Sequence, residues 1–403
     1  MYTNIFLNPS AAHSDSVSPS PSADPDAIQA FHTQLPDYNV TPLVPLPSVA
    51  ADLRLAHVLL KDESSRFGLP AFKILGASWA VHRAVAARMG LPPTVSPADI
   101  NINNTNKNNT PIAYLVTCTD GNWGRAVARM ARLLALPARI FVPNTMDTPT
   151  RDKIASEGAD VRVVPGDYDA AIAAARRDAD DALSQDAPQP LLVMDTSWDG
   201  FEEIPSWVVD GYSTMLNETD HQLAALGLSQ HPTCVIASVG VGSWAQAVVL
   251  HYKSKNSEEA QRTTTTTTRV VAVEPTTAAC LQTSLRADRI VPITTDDTIM
   301  CGMNCGTVSS LAWPLLRAGV DASVLVSDGE SHVATADLHA LGVDCGPCGA
   351  APLAALRRLL RDERAAAALG LGPDAVVVLF STEGKRPYHV PEPDDDDDDV
   401  DVA

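Results

Sequence analysis

Short apolar runs alternate with segments of helical spacing over residues 112–194, and no other feature of the sequence constrains the fold as strongly. The strand-length runs span residues 112–118, 138–142, 161–164 and 191–194. Strands that alternate with helices form a parallel sheet whose faces the helices cover. The alternation resumes after Thr233, with a helix from Ser243 and further apolar runs. The sequence therefore predicts an α/β fold of two domains, each a parallel-rich twisted sheet flanked by helices.

The charge balance argues against two classes of partner. The chain of 403 residues carries a formal net charge of -20, whereas nucleic acids and anionic membranes bind through basic patches. No apolar stretch approaches the ~20 residues that span a bilayer. No Lys or Arg occurs before Arg54, so the basic flank of a secretory signal and the Arg-rich face of a mitochondrial presequence are missing. We therefore expect a cytoplasmic protein that binds neither nucleic acid nor membrane.

One lysine stands in an apolar setting at the predicted start of a helix. Lys73 follows Phe72 and precedes Ile74. A lysine that forms a Schiff base must lie at the mouth of a buried pocket, where apolar neighbours favour the neutral amine. A buried lysine whose amine reaches the surface fits the same residues equally well. From these residues alone, both interpretations of Lys73 stay open.

A second candidate segment is a strand that ends in a glycine-containing turn and leads into a helix, at residues 117–125. Such a turn presents backbone N–H groups and short polar side chains to an anion. Asp120 either caps the helix or acts as an acid/base group. In the second case Asn122 donates to an oxygen of a cofactor.

A third segment, Gly240-Val241-Gly242-Ser243, follows an apolar strand and opens a helix. Glycines let the backbone approach a phosphate closely, and the helix N-terminus supplies partial positive charge. A short Gly-x-Gly is weak evidence by itself, and the full dinucleotide fingerprint is absent. Its position between a strand and a helix is what favours phosphate binding.

Four cysteines stand in two pairs that suggest a zinc site, Cys301 with Cys305 and Cys345 with Cys348. Structural zinc usually takes closely spaced, paired ligands on short turns. These cysteines instead stand in glycine-rich segments, and we predict no metal site.

Signature-like segments stand in order along the chain. They span residues 38–43, 61–64, 66–73, 119–125, 194–205, 240–243, 273–275, 298–302, 304–307, 345–349 and 381–384. In this order they resemble the fold-type-II pyridoxal-phosphate (PLP) enzymes of the tryptophan-synthase-β type, and most of all the diaminopropionate ammonia-lyase family. The resemblance covers roughly residues 36–385. The stretch that begins Asp195-Thr-Ser-Trp-Asp-Gly is the discriminating one, because serine and threonine dehydratases lack it.

The resemblance implies PLP as the cofactor and a small amino acid as the substrate. The implied reaction is α,β-elimination of D- or L-2,3-diaminopropionate to pyruvate and ammonia, in a homodimer. The implied catalytic residues are Lys73, Asp120 and Asp195. The implied cofactor contacts are Phe72, Lys73, Asn122 at the ring hydroxyl, Gly240, Val241, Gly242 and Ser243 at the phosphate, and Ser381 or Thr382 at the pyridine nitrogen. Two alternatives remain, a serine/threonine dehydratase-like lyase and a catalytically silent PLP-binding protein.

The domain boundaries follow from composition and from the order of the segments. Residues 1–35 are predicted to be a disordered leader, and residues 391–403, with their run of aspartates, an acidic disordered tail. Because the Lys73 segment precedes the first run of strands and helices, the smaller domain is expected to be inserted in the larger. We assign residues 36–75 and 206–390 to a large PLP-binding domain and residues 76–205 to a small domain.

Overall fold

A computed structural model describes residues 4–11, 24–103, 105, 111–119, 121–166, 168–180, 188–259 and 267–392, without the side chains of 103 and 255–259. The strands are β1 (Ile5–Leu7), β2 (Leu43–Pro45), β3 (His57–Asp62), β4 (Ala113–Cys118), β5 (Ala138–Pro143), β6 (Asp160–Val164), β7 (Gln189–Leu192), β8 (Cys234–Ser238), β9 (Arg269–Pro275), β10 (Ala322–Val326) and β11 (Val376–Ser381). The helices are α1 (Pro25–Thr33), α2 (Pro47–Asp52), α3 (Ile74–Arg88), α4 (Pro97–Asn103), α5 (Asn122–Leu133), α6 (Thr148–Ala155), α7 (Tyr168–Asp180), α8 (Glu203–Gly211), α9 (Ser213–Ala225), α10 (Ser243–Glu259), α11 (Cys280–Ala287), α12 (Trp313–Gly319), α13 (Asp328–Ala340), α14 (Pro347–Arg361) and α15 (Glu363–Ala368).

The chain divides into two compact units. The first unit comprises Met1–Ser20, Thr41–Ser65 and Glu218–Ala403, and the second comprises Pro21–Val40 and Arg66–Asn217. Each unit contains one sheet. The prediction of an α/β fold with parallel-rich sheets flanked by helices is confirmed.

The sheet of the first unit has seven strands in the order β1-β10-β9-β8-β11-β3-β2. The five inner strands run parallel to one another, and β1 and β2 pair antiparallel at the two edges. Inner strands of a sheet covered on both faces are almost continuously apolar, as the fully buried Cys-Val-Ile-Ala-Ser of β8 illustrates. The core side chains contributed by the inner strands include Leu60, Ile236, Val271, Val324 and Leu379.

The sheet of the second unit has four parallel strands in the order β6-β5-β4-β7. Val116 of β4 lies opposite Arg139 of β5 and Leu192 of β7. Ala171 and Ala175 of α7 are small and one turn apart, so this helix packs closely on the sheet.

Helices α3 and α8 of the second unit touch backbone to backbone. A Cβ added at Gly76 would lie 2.8 Å from atoms of Tyr212 and Val208, and one added at Gly211 would lie 2.6 Å from the Leu75 carbonyl oxygen. A larger residue at Gly76 would have to displace these side chains, and one at Gly211 would have to displace the backbone of α3. This contact fixes the first turn of α3, which begins directly after Lys73.

The segment predicted as a disordered leader contains two ordered elements. Strand β1 pairs with β10, where Ile5 lies opposite Val324. Helix α1 begins with Asp24 as its cap and buries Phe31 and His32. The His32 ring lies 2.7 Å from the Thr214 hydroxyl and 3.0 Å from the Leu75 carbonyl. The prediction of disorder for residues 1–35 is wrong for these elements, because their packing partners stand far away in the sequence.

The unit boundaries also differ from the assigned domains. Residues 36–40, 66–75 and 206–217 group with the second unit rather than with the larger one. For the last two ranges the reason is that α3 and α8 pack against each other. Residues 393–403, which include most of the predicted acidic tail, lie outside the described residues. Within the described part of the chain, every helix is too short or too polar to cross a bilayer.

Candidate active site

Lys73 and Asp195 form an ion pair within the second unit. Lys73 is the residue before α3, and its side chain is 23% exposed. Its Nζ donates to Asp195 Oδ2 at 2.6 Å. Asp195 follows β7 and is buried, and its Oδ1 has no hydrogen-bond partner among the described residues. A buried carboxylate with one oxygen unengaged can accept a proton or a further hydrogen bond from a ligand.

Phe72 lies in the interior of the second unit beside Lys73. Its ring centroid is 4.9 Å from that of Tyr212 at the end of α8. Its carbonyl accepts a hydrogen bond from Leu75 N–H at 3.0 Å. Packing on Tyr212 and the close contact at Gly76 together hold the backbone that carries the lysine.

Asn122 is the first residue of α5 and is half-buried. Its predicted neighbour Asp120 lies outside the described residues. The helix is capped by Thr119, whose hydroxyl accepts from Gly121 N–H at 2.8 Å and from Gly124 N–H at 3.0 Å. A threonine just before a helix is a common signal for a cap, and we did not assign it from the sequence.

The glycine-rich turn at residues 240–243 leads from β8 into α10, within the first unit. Gly242 has φ +101°, and a Cβ there would lie 2.9 Å from Leu316 Cδ1. A Cβ at Gly240 would lie 3.1 Å from the Gly302 carbonyl oxygen. The Val241 carbonyl accepts from Ser309 N–H at 2.9 Å. Contacts with neighbouring segments thus hold the backbone of this turn in place. The N–H groups of the first turn of α10 are suited to bind an anion.

A buried glutamate supports the same turn from behind. Glu274, at the end of β9, accepts from the N–H groups of Leu281 at 2.6 Å and Gln282 at 2.8 Å, in the first turn of α11. The first residue of that helix, Cys280, donates its thiol to the Gly240 carbonyl at 3.9 Å. Burial raises the pKa of Glu274 to about 7, although the two N–H groups act in the opposite direction.

Ser381 and Thr382 are buried at the end of β11 in the first unit. Ser381 Oγ has no hydrogen-bond partner among the described residues. A Cβ at Gly349 would lie 2.5 Å from this oxygen, so only glycine leaves room for the hydroxyl. A buried hydroxyl without a partner costs free energy, and a ligand atom that accepts or donates a hydrogen bond would recover it.

The residues described fit PLP. The cofactor needs an amine for its aldehyde, a backbone turn for its phosphate and a polar partner for its ring nitrogen. Lys73, the turn at residues 240–243 and the unpartnered Ser381 hydroxyl are of these three kinds. No group of three or more His, Cys, Asp or Glu side chains in the described part of the chain is placed to hold a metal ion.

Comparison with known proteins points to the same cofactor. The family model described as "Pyridoxal-phosphate dependent enzyme" matches residues 35–383. A diaminopropionate ammonia-lyase of Salmonella typhimurium is 34% identical over 376 residues, which are 89% of this chain and 88% of that protein. One of Escherichia coli K12 is 30% identical over 366 residues, 88% of this chain and 86% of the relative.

A solved structure shows the same fold. The crystal structure of the Escherichia coli diaminopropionate ammonia lyase in complex with D-serine superposes with a TM-score of 0.82 at 28% identity, covering 94% of this chain and 93% of that one. With the family match over most of its length, this chain belongs to the pyridoxal-phosphate dependent enzymes, has their fold-type-II architecture and takes PLP as its cofactor.

Proposed function

We propose that this chain is a carbon–nitrogen lyase that converts D- or L-2,3-diaminopropionate to pyruvate and ammonia, with PLP carried on Lys73. The observation that carries the proposal is the ion pair of Lys73 with the buried carboxylate of Asp195, which belongs to the segment whose resemblance points to the ammonia-lyases rather than the dehydratases. The two ammonia-lyase relatives, similar along most of the chain, support the same substrate.

PLP supplies an electron sink that stabilises negative charge at the substrate Cα. Lys73 holds the cofactor through its amine and exchanges protons with the substrate. Backbone N–H groups at Gly240 to Ser243 bind the phosphate. The Ser381 hydroxyl, or that of Thr382, meets the ring nitrogen. A neutral hydroxyl does not hold that nitrogen protonated as a carboxylate would, which favours elimination over transamination.

Asp195 gives the site its preference for a diamino acid. The substrate carries an ammonium group on Cβ where serine carries a hydroxyl, and Asp195 Oδ1 is a buried acceptor for it. Serine has a neutral hydroxyl at this position. When serine is bound, the buried negative charge of Asp195 is therefore less well compensated than when diaminopropionate is bound. We expect Asp195 also to accept a proton during the reaction, together with Asp120.

The overall reaction balances with one water. The Cα–H bond breaks and its proton moves to a base of the enzyme, Lys73 or one of the aspartates. The Cβ–N bond then breaks, and the electron pair leaves on nitrogen, which departs as ammonia. The remaining three-carbon enamine takes up one water and releases the second ammonia and pyruvate. Positioned proton transfers of this kind contribute about 10²–10⁴-fold to the rate.

The test is pyruvate and ammonia release by PLP-loaded protein from D- and L-2,3-diaminopropionate, L-serine and L-threonine. We expect diaminopropionate to be the best substrate and Lys73→Ala to abolish turnover. Asp195→Asn should lower kcat/KM for diaminopropionate by about 10²-fold and lower that for serine by a smaller factor, because serine has no ammonium group on Cβ. Asp199→Asn, at an exposed aspartate of the same segment, is the matched control and should leave kcat/KM unchanged.

Other outcomes would move the assignment. Turnover of serine or threonine without diaminopropionate would make the chain a dehydratase-like lyase. A cofactor absorbance that depends on Lys73, with no turnover of any of these amino acids, would make it a silent PLP-binding protein. As part of the proposal we also expect a homodimer in the cytoplasm, which light scattering of the purified protein and cell fractionation would test.

A further inference from the structure

Arg386 connects two segments of the first unit that lead to the proposed cofactor contacts. Its guanidinium Nε donates to Glu383 Oε1 at 3.2 Å. Its Nη2 donates to the carbonyl oxygen of Ile299. The Arg386 side chain thus forms hydrogen bonds with two segments that lie about 85 residues apart in the sequence. A guanidinium carries several N–H donors in one plane, so it can bond to two acceptors at once.

The Glu383 contact leads to Ser381. Glu383 is 4% exposed, and its Oε1 also accepts from Cys348 N–H at 3.1 Å, in the first turn of α14. Its carbonyl accepts from Gly346 N–H at 3.0 Å. An anion at a helix N-terminus is stabilised by the helix dipole. Glu383 therefore fastens the segment after β11 to the start of α14, where Gly349 leaves room for the Ser381 hydroxyl.

The Ile299 contact leads to the glycine-rich turn. Ile299 precedes a short 3₁₀ turn at Cys301–Met303. The Gly302 carbonyl of that turn is the atom that a Cβ at Gly240 would approach at 3.1 Å. The segment held by Arg386 therefore packs directly against the backbone of Gly240. Displacing Ile299 would shift the surface on which the glycine-rich turn rests.

The charge of Arg386 persists in this environment. Burial opposes the charge, but the Glu383 carboxylate keeps the pKa of Arg386 above its ordinary value. Hydrogen bonds with a charged partner are about twice as strong as those between neutral groups. The preceding residue, Lys385, has an exposed side chain and makes no comparable contact among the described residues.

The geometry points to Arg386 as a positioning residue that keeps Ser381 and the turn at residues 240–243 at the separation one PLP molecule requires. This inference rests on the cofactor contacts given under the proposed function. When two contacts to one ligand are held at the correct spacing, the second forms at a high effective concentration. Loss of the correct spacing should therefore lower the affinity for a ligand that uses both contacts far more than the affinity for a ligand that uses only one.

The experiment compares PLP with pyridoxal, which has the same ring but no phosphate. Dissociation constants are measured by equilibrium dialysis for the parent, Arg386→Gln and the charge-matched control Lys385→Gln. We expect Arg386→Gln to raise the dissociation constant of PLP by about tenfold or more and that of pyridoxal by less than about threefold. Lys385→Gln should leave both within about twofold of the parent.

Two results would overturn the inference. One is a PLP dissociation constant for Arg386→Gln equal to that of Lys385→Gln. The other is equal weakening of PLP and pyridoxal, since that describes a general loss of structure rather than a lost spacing. If Arg386→Gln does not fold, Arg386→Lys replaces it, because an ammonium cannot reproduce the fork. That variant should weaken PLP by about threefold or more, and unchanged affinity would refute the inference.

The outcome is independent of turnover. A parent protein that binds PLP but does not act on diaminopropionate would contradict the proposed function and leave this comparison of affinities valid. Conversely, if the parent is an active lyase and Arg386→Gln leaves its PLP affinity unchanged, only the positioning role is contradicted.

Discussion

Lys61 offers a quantitative test of how the first unit is held together. Its side chain is fully buried, and its Nζ donates to Glu218 Oε2 at 2.9 Å, to the Thr41 carbonyl at 2.7 Å and to Gln222 Oε1 at 3.0 Å. Lys61→Met would keep most of the volume and remove the charge. The Thr41 carbonyl would still accept from Gln222 Nε2 at 2.9 Å, so the main cost falls on Glu218.

Glu218 is 2% exposed, and a buried charge that loses its ion-pair partner is less well compensated, at a cost of several kcal/mol. Removing one partner of a buried ion pair typically destabilises a protein by about 3–5 kcal/mol, whereas replacing both with apolar residues is often neutral. We therefore expect Lys61→Met to lower the free energy of unfolding by about 3–5 kcal/mol. The double variant Lys61→Met/Glu218→Met should recover most of that loss.

The assay is urea unfolding followed by circular dichroism at a fixed PLP concentration, because a bound ligand adds to apparent stability. Lys385→Met, at an exposed lysine, is the control and should change stability by less than about 0.5 kcal/mol. A loss below about 1 kcal/mol for Lys61→Met would refute the reasoning. So would a double variant no more stable than the single one, since Glu218 would then not be the source of the cost.

Three further predictions concern glycines and one glutamate. Gly211→Ala should destabilise the second unit by about 1–3 kcal/mol in thermal unfolding, whereas Gly372→Ala, with nothing within 4 Å of the added Cβ, should be neutral. Gly349→Ala should raise the dissociation constant of PLP by about tenfold through displacement of the Ser381 hydroxyl, again against Gly372→Ala; equal affinities would contradict this. The folded-state pKa of Glu274 is about 7, above its ordinary 4.5, so its contribution to stability is present below pH 4.5 and lost as the pH rises through 7. Thermal unfolding across this range should show the loss, roughly 3 kcal/mol at most, and Glu274→Gln should flatten it.

The regular part of the fold could be predicted because its signals are local. The alternation of strands and helices over residues 112–194 corresponds to β4 through β7, with boundaries within a few residues of those expected. The turn at residues 240–243 does lie between β8 and α10. Such features depend on hydrophobic period and on glycine at particular backbone positions, both of which can be read in a short window.

The features that were missed depend on contacts between distant residues. Helix α1 buries His32 against Leu75, and the unit boundary before Lys73 follows from the contact of Gly76 with α8. Lys73 and Asp195 stand 122 residues apart; resemblance to a family could name both as site residues, but periodicity could not pair them. The connection from Arg386 to Ile299 likewise has no local signal in the sequence.

The pairing of β3 with β11 determines the order in which the chain can fold during synthesis. Leu59 lies opposite Val378, so this pair of inner strands forms only after about 320 further residues have left the ribosome, and such long-range pairing is slow. The four strands of the second unit lie within residues 113–192 and emerge long before. We expect a nascent chain whose second unit is already folded while β3 still lacks its neighbour β11. The Lys73–Asp195 ion pair would then form before Ser381 reaches its folded position. Because Ser381 is one of the proposed cofactor contacts, stable binding of the cofactor would be the last step of biogenesis.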